Sequence, residues 1–126
     1  GLTRCRFLGF RQPAEVARLL AHALALVLPS RAEPWGLVAN EALALGVPVL
    51  VSNRAGCAHE LVRDGVNGRV RDPERPGDWA EALTALDRDP DLWKRLATGA
   101  RDTAVEGDVR HFAAGAAELL APGGPA

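Results

Sequence analysis

Methionine is absent from this chain of 126 residues, and only two cysteines occur, Cys5 and Cys57. Two thiols so far apart make neither a disulfide framework nor a zinc site. Both are expected as buried or half-buried free thiols in a reducing, cytoplasmic setting. Neither sign of charge is in excess: the net charge is -1, and arginines are interleaved with Asp and Glu, so no footprint for nucleic acid is present. No apolar run approaches the length of a membrane span. No opening stretch has the charged, apolar and small-residue order of a signal peptide. The two best-known glycine phosphate loops, G-x-x-x-x-G-K-S/T and G-x-G-x-x-G, are missing, as are H-E-x-x-H, a nucleophile elbow and paired cysteine ligands. The chain opens at Gly1 and runs almost directly into an apolar stretch, which leads us to expect a piece of a longer protein.

What is present is a folded composition, 48% hydrophobic and 25% charged. We expect one α/β domain over residues 1–120, a partial Rossmann-like unit with about four parallel strands and a helical carboxyl-terminal section, then a disordered tail at 121–126. Arg4 to Gly9 alternates partly and predicts a strand. Pro13, with Glu15 in the first turn, predicts a helix over 13–22. Leu24 to Leu28 is a continuous apolar run, as strands buried on both faces show. A helix follows at about 37–45, closed by Gly46 and Pro48, and Val47 to Ser52 is the next strand. Strand, helix and strand fit a βαβ unit with a right-handed crossover. Residues 59–63 read as one or two helical turns, 64–68 as a turn, and 69–71 as a short edge strand. Asp78, Asp89 and Asp108 are placed to cap three further helices, with Trp79 and Trp93 as packing residues.

The stretch with chemical promise lies between the two buried strands, from Pro29 to Ala42. Gly36 lets the backbone approach a ligand, and the free amides of Leu37 and Val38 open a helix, which suits an anion. Glu41 lies about one turn further, roughly 6 to 8 Å along the axis. It is too far in to meet the phosphate, and well placed for hydroxyls beside it. Glu33, on the loop, reaches the other side. Two carboxylates flanking an anion site suit a sugar on each side of a diphosphate, as in a nucleotide sugar. From spacing alone another reading stays open: Asn40 and Glu41 as the solvent edge of a buried helix, and Glu33 as a loop charge.

The run from Glu33 through Pro34-Trp35-Gly36 to Glu41-Ala42 and on to Gly46-Val47-Pro48-Val49 resembles the E-x7-E signature of retaining GT-B glycosyltransferases of the large group 1 family, also numbered family 4. That family reads P-S-x-x-E-x-F/W-G-I/L, then E-A-x-A-x-G-x-P-V. The likeness extends through Gly56, Glu60-Leu61-Val62, Asp64-Gly65 and Asn67-Gly68, and upstream to Phe7-Leu8-Gly9. It departs where the family's Gly-Gly-x-Pro-Glu is Gly56-Cys57-Ala58-His59-Glu60, and His59 is read there as a substitution rather than a base.

The resemblance implies the latter part of a carboxyl-terminal donor-binding domain. It implies Glu33 at the donor sugar as the catalytic position. Glu41 is implied at the ribose, the backbone at Gly36, Leu37 and Val38 on the diphosphate, and Phe10 near the base. It implies hexosyl transfer with retention from a nucleotide-diphosphate sugar, with no metal and no other cofactor. The family's cationic clamp, G-R-x-x-x-x-K-G, does not occur in these residues, and its acceptor site belongs to an amino-terminal domain. We therefore expect this polypeptide alone to be inactive, its missing half in the same or another chain, and any peripheral membrane association to come through those other parts. Two other readings are a non-catalytic nucleotide- or partner-binding module and, less well matched, a sugar-nucleotide epimerase.

Overall fold

A computed structural model describes residues 4–106, 120 and 122. Five helices and three strands follow in the order α1 (Pro13–Ala21), β1 (Leu26–Leu28), α2 (Leu37–Ala44), β2 (Val49–Ser52), α3 (Cys57–Glu60), β3 (Gly68–Arg71), α4 (Pro76–Arg88) and α5 (Pro90–Glu106) among the described residues. The strands form one parallel sheet in the order β1-β2-β3. The α/β class and the parallel sheet are as expected from the sequence.

The central strand explains the layers. All four residues of β2 are buried. Alternate side chains leave a strand on opposite faces, and both faces of β2 are covered. Val49 and Val51 pack with Ala39, Ala42 and Leu43 of α2, with Leu20 of α1 and with Ala100 of α5. Leu50 points the other way, onto Trp79 and Ala82 of α4. A third cluster joins Leu86 of α4 to Leu92 and Leu96 of α5. Helix α5 thus closes the back of α2 and braces α4, a role its stripe of Leu92, Leu96 and Ala100 suits.

The expected strand at Arg4 to Gly9 is not formed. These residues are exposed and belong to no strand, and Phe7 is 94% exposed. A strand is held by a ladder to a neighbour, and β1 pairs with β2 alone among the described residues. Partial alternation gives a segment the capacity for a ladder, but no partner strand among the described residues pairs with this one. β1 is likewise not buried on both faces: Leu26 and Leu28 join the α2-side core, whereas Val27 is 38% exposed, because α4 packs against β3.

Smaller differences concern helix starts. Asp78 lies inside the first turn of α4, which begins at Pro76 because proline is tolerated at the first helical position. Asp89 does cap α5, accepting from the amides of Asp91 and Leu92 at 3.1 Å each. Trp79 is buried and Trp93 half-buried, as packing residues should be. Cys57 is buried, but Cys5 is exposed, on the exposed segment before α1. The helix expected from Asp108 and the tail at 121–126 lie outside the described residues, apart from Leu120 and Pro122. No helix among the described residues is long and apolar enough to cross a membrane.

The turn before β3 is held by one buried side chain. Asn67 is fully buried; its Oδ1 accepts from the Arg63 amide at 2.8 Å, and its Nδ2 donates to the Leu61 carbonyl at 3.0 Å and to Thr103 Oγ1 of α5 at 2.9 Å. Removing the amide would leave one donor and two acceptors without this partner. We expect Asn67→Ala to destabilise the fold by about 1–3 kcal/mol, while the exposed Asn53→Ala stays within about 0.5 kcal/mol of the parent. Urea unfolding of the two variants makes the comparison, and equal midpoints would show that the amide network contributes nothing.

Candidate functional site

Because the strands are parallel, the loops that leave their carboxyl ends, at 29–36, 53–56 and 72–75, gather at one end of the sheet. This is the end where open α/β sheets hold ligands. Backbone bonds tie the first two loops together. The Gly56 amide donates to the Glu33 carbonyl at 3.0 Å, the Cys57 amide donates to the Trp35 carbonyl at 2.9 Å, and Glu33 forms a parallel bridge with Ala55. The third loop joins through charge: Glu74 meets Arg31 at 3.1 Å and Arg54 at 3.5 Å. These ion pairs are half-exposed or more, so each adds little to stability. They place one residue from each loop at a common rim.

Gly36 is the N-cap of α2, at φ 94° and ψ 64°. A side chain is strained there, and it would also press on its neighbours. A Cβ would lie 2.8 Å from Leu28 Cδ2 and 3.2 Å from Cys57 Sγ. The turn carries no side-chain cap, and the first turn of the helix holds no acidic residue. The amides of Leu37 and Val38 find no acceptor among the described residues, and Leu37 is 68% exposed. A helix start left open in this way keeps its partial positive charge available to an anion.

One glutamate precedes this start on the loop, and the other follows it about one turn into α2. Glu33 is half-buried, with its backbone fixed to Ala55 and Gly56, and Glu41 is half-buried on α2. Neither enters an ion pair among the described residues. Burial pushes the Glu41 carboxyl above its ordinary value. A half-buried carboxylate without a cation is a cost to folding, which is the kind of cost found at binding sites. The Cys57 thiol, beneath Gly36, is also pushed up, first by burial and further by the charge of Glu33.

The loop–helix turn thus brings together Glu33, Gly36, Leu37, Val38 and Glu41. Phe10 does not join them: it lies on the segment before α1 and is 85% exposed. Sequence reasoning missed two features of the site. One is the Glu74 bridge to Arg31 and Arg54, which joins residues distant in the chain and leaves no local signal. The other is a hydrogen bond from Trp35 Nε1 to Asn40 Oδ1, 2.7 Å long. Its signal was present, since these residues occupy the positions just before the cap and one turn into the helix.

Comparison with known proteins identifies the relatives of this arrangement. The family model described as Glycosyl transferases group 1 matches residues 1–103. The chain is 43% identical over 100 residues to the D-inositol 3-phosphate glycosyltransferase of Corynebacterium jeikeium, covering 79% of this chain and 23% of that protein. It is 40% identical over 100 residues to the glycogen synthase of Mycobacterium tuberculosis, covering 79% of this chain and 24% of that one. Among solved structures, Anabaena Alr3699/HepE in complex with UDP-glucose aligns with a TM-score of 0.77 and 30% identity, over 94% of this chain and 32% of that chain. Sucrose-phosphate synthase from Thermosynechococcus elongatus aligns with a TM-score of 0.74 and 27% identity, over 90% of this chain and 29% of that chain. The chain therefore spans between a fifth and a third of the length of these relatives.

The raised proton affinity of Glu41 has a definite sign in stability. The folded state holds this proton more tightly than the unfolded chain, so stability falls as pH rises from the ordinary glutamate value through the raised one. Glu41→Gln removes that loss. We expect the variant to melt above the parent at neutral pH and level with it below the ordinary glutamate value of about 4.3. Melting curves across this range check it, and a variant that melts lower at neutral pH would contradict the burial of an uncompensated charge.

Proposed function

The chain belongs to the group 1 glycosyltransferases, and from that membership we propose that it forms the donor-binding portion of a retaining enzyme, one that moves a hexose from a nucleotide sugar to an acceptor. The observation that carries this reading is the open start of α2, set between Glu33 and Glu41 at the carboxyl ends of the strands. That HepE aligns over 94% of the chain in a complex with UDP-glucose supports the ligand class. The parallel α/β core is part of a GT-B fold.

In this proposal the amides of Leu37 and Val38 hold the diphosphate, and the bare Gly36 gives its oxygens room. Glu41 accepts hydrogen bonds from the ribose hydroxyls. A carboxylate can accept two at once, which makes the half-buried, unpaired Glu41 a better partner for a diol than an amide would be. Glu33 lies beside the donor sugar, where its charge favours the positive character that develops at the anomeric carbon. Phe10, on its exposed segment, serves the base.

As the bond from the anomeric carbon to the diphosphate oxygen breaks, negative charge gathers on the leaving phosphate. Amides already aimed at it stabilise that charge with no further reorganisation. The remaining positive charge comes from the Arg and Lys of the family's clamp, outside these residues, so the proposed reaction needs no metal. An amino-terminal half supplies the acceptor. The proposed setting is the cytoplasm, with contact to membranes, where it occurs, through those other parts.

Two measurements test the proposal. Calorimetric titration of the complete protein with its nucleotide sugar should show Glu41→Ala binding more weakly by about 1–3 kcal/mol; an unchanged affinity would remove the ribose role. Incubation of the purified 126-residue chain with a nucleotide sugar and candidate acceptors should give no transfer. Product formed by this chain alone would overturn the division of the site between two halves.

A further inference from the structure

Gly36 is the most freely turning residue of the candidate site, and it stands between the loop that carries Glu33 and the helix that carries Glu41. One side-chain contact spans it. Trp35 Nε1 donates to Asn40 Oδ1 at 2.7 Å, and both residues are half-buried. Relative to the cap at Gly36, Trp35 holds the position just outside the helix and Asn40 the fourth position within it. Those two positions meet across many helix starts in an apolar contact, the hydrophobic staple, which sets the angle at which the chain joins the helix.

Here the staple is a hydrogen bond, so it fixes direction as well as distance. The indole N–H is a donor only, so the Asn40 amide must turn its oxygen toward it. The bond also reaches a third element, since the Trp35 carbonyl accepts from the Cys57 amide at 2.9 Å at the start of α3. Trp35 is thereby anchored on two sides, to α2 by its side chain and to α3 by its backbone. Phenylalanine, which the related motif also allows at this position, is aromatic but smaller, and has no donor.

We infer that Trp35 and Asn40 are a positioning pair, a hydrogen-bonded staple that holds the Glu33 loop at a set distance and angle from the start of α2. The inference rests on the donor-binding reading above. It divides the donor in two. The nucleoside diphosphate is gripped by groups on α2 itself, the amides of Leu37 and Val38 and the Glu41 carboxylate. The sugar is gripped from the loop, by Glu33. Loosening the staple therefore leaves the grip on the diphosphate intact and weakens only the part of binding that needs loop and helix together.

The test uses the complete protein with Trp35→Phe, Asn40→Ala and both changes combined. The ligands are UDP, GDP and ADP with their glucose conjugates, taking the pair that the parent binds best. We expect each single change to weaken the sugar conjugate about 2- to 10-fold, the range for one hydrogen bond, while the bare diphosphate stays within about 2-fold. The double change should be no worse than either single one, because both remove the same bond. Equal weakening of diphosphate and conjugate, additive losses, or no change in either would overturn the staple. A parent protein that binds none of these ligands would overturn the donor-binding reading itself, and the inference with it. Trp35→Phe keeps an aromatic ring and leaves the sequence of α2 unchanged, so it tests the bond even where Asn40→Ala disturbs the helix.

Discussion

The structure of the site depends on the left-handed turn at Gly36. The chain must turn from β1 into α2 at a point walled by Leu28 on one side and Cys57 on the other. Glycine takes the left-handed conformation at φ 94° without strain, and a side chain there would also have to displace the Leu28 methyl. The turn then leaves the first amides of α2 facing outward without a cap. It also puts the Glu33 backbone against the loop after β2. A serine or aspartate cap would have tied up one of those amides. The absence of a capping side chain, which weakens a helix as such, is what leaves a place for an anion.

The rest of the fold is arranged to hold that turn still. Burial of β2 on both faces fixes the sheet, and α5 presses α2 onto it from behind. Asn67 fastens the turn before β3 to α5, so the third loop is placed by the same helix that supports the second element of the site. The rim of Arg31, Glu74 and Arg54 then links all three loops. The segment before α1 stands outside this scheme, with Phe7 and Phe10 exposed.

Much of this was legible in the sequence where local chemistry decides it. The apolar run at β2, the Gly46 and Pro48 stop after α2, and the Asp89 cap all depend on neighbours along the chain, and all were read correctly. Glu33, Gly36, Leu37, Val38 and Glu41 were placed on one loop–helix turn, and the structure places them there. What failed depends on partners distant in sequence. Arg4 to Gly9 has a strand's pattern but no ladder beside it. Asn67 reads as a turn residue, and its bond to Thr103 cannot be seen from either residue. The Trp35–Asn40 bond is the instructive case, because its spacing is local and visible. Nothing in the letters says that the Trp35 N–H faces an amide oxygen.

The central claim is that the open start of α2 holds the diphosphate of a nucleotide sugar. A crystal structure of the complete protein with its nucleotide sugar bound tests it most directly. The account predicts phosphate oxygens within about 3 Å of the Leu37 and Val38 amides, with a ribose hydroxyl on Glu41. A second cleft, of about 280 Å³ between β3 and α4, is lined by Arg69 and Arg71 together with Asp78 and Glu81. A diphosphate found there, with the Leu37 and Val38 amides left to water, would contradict the account.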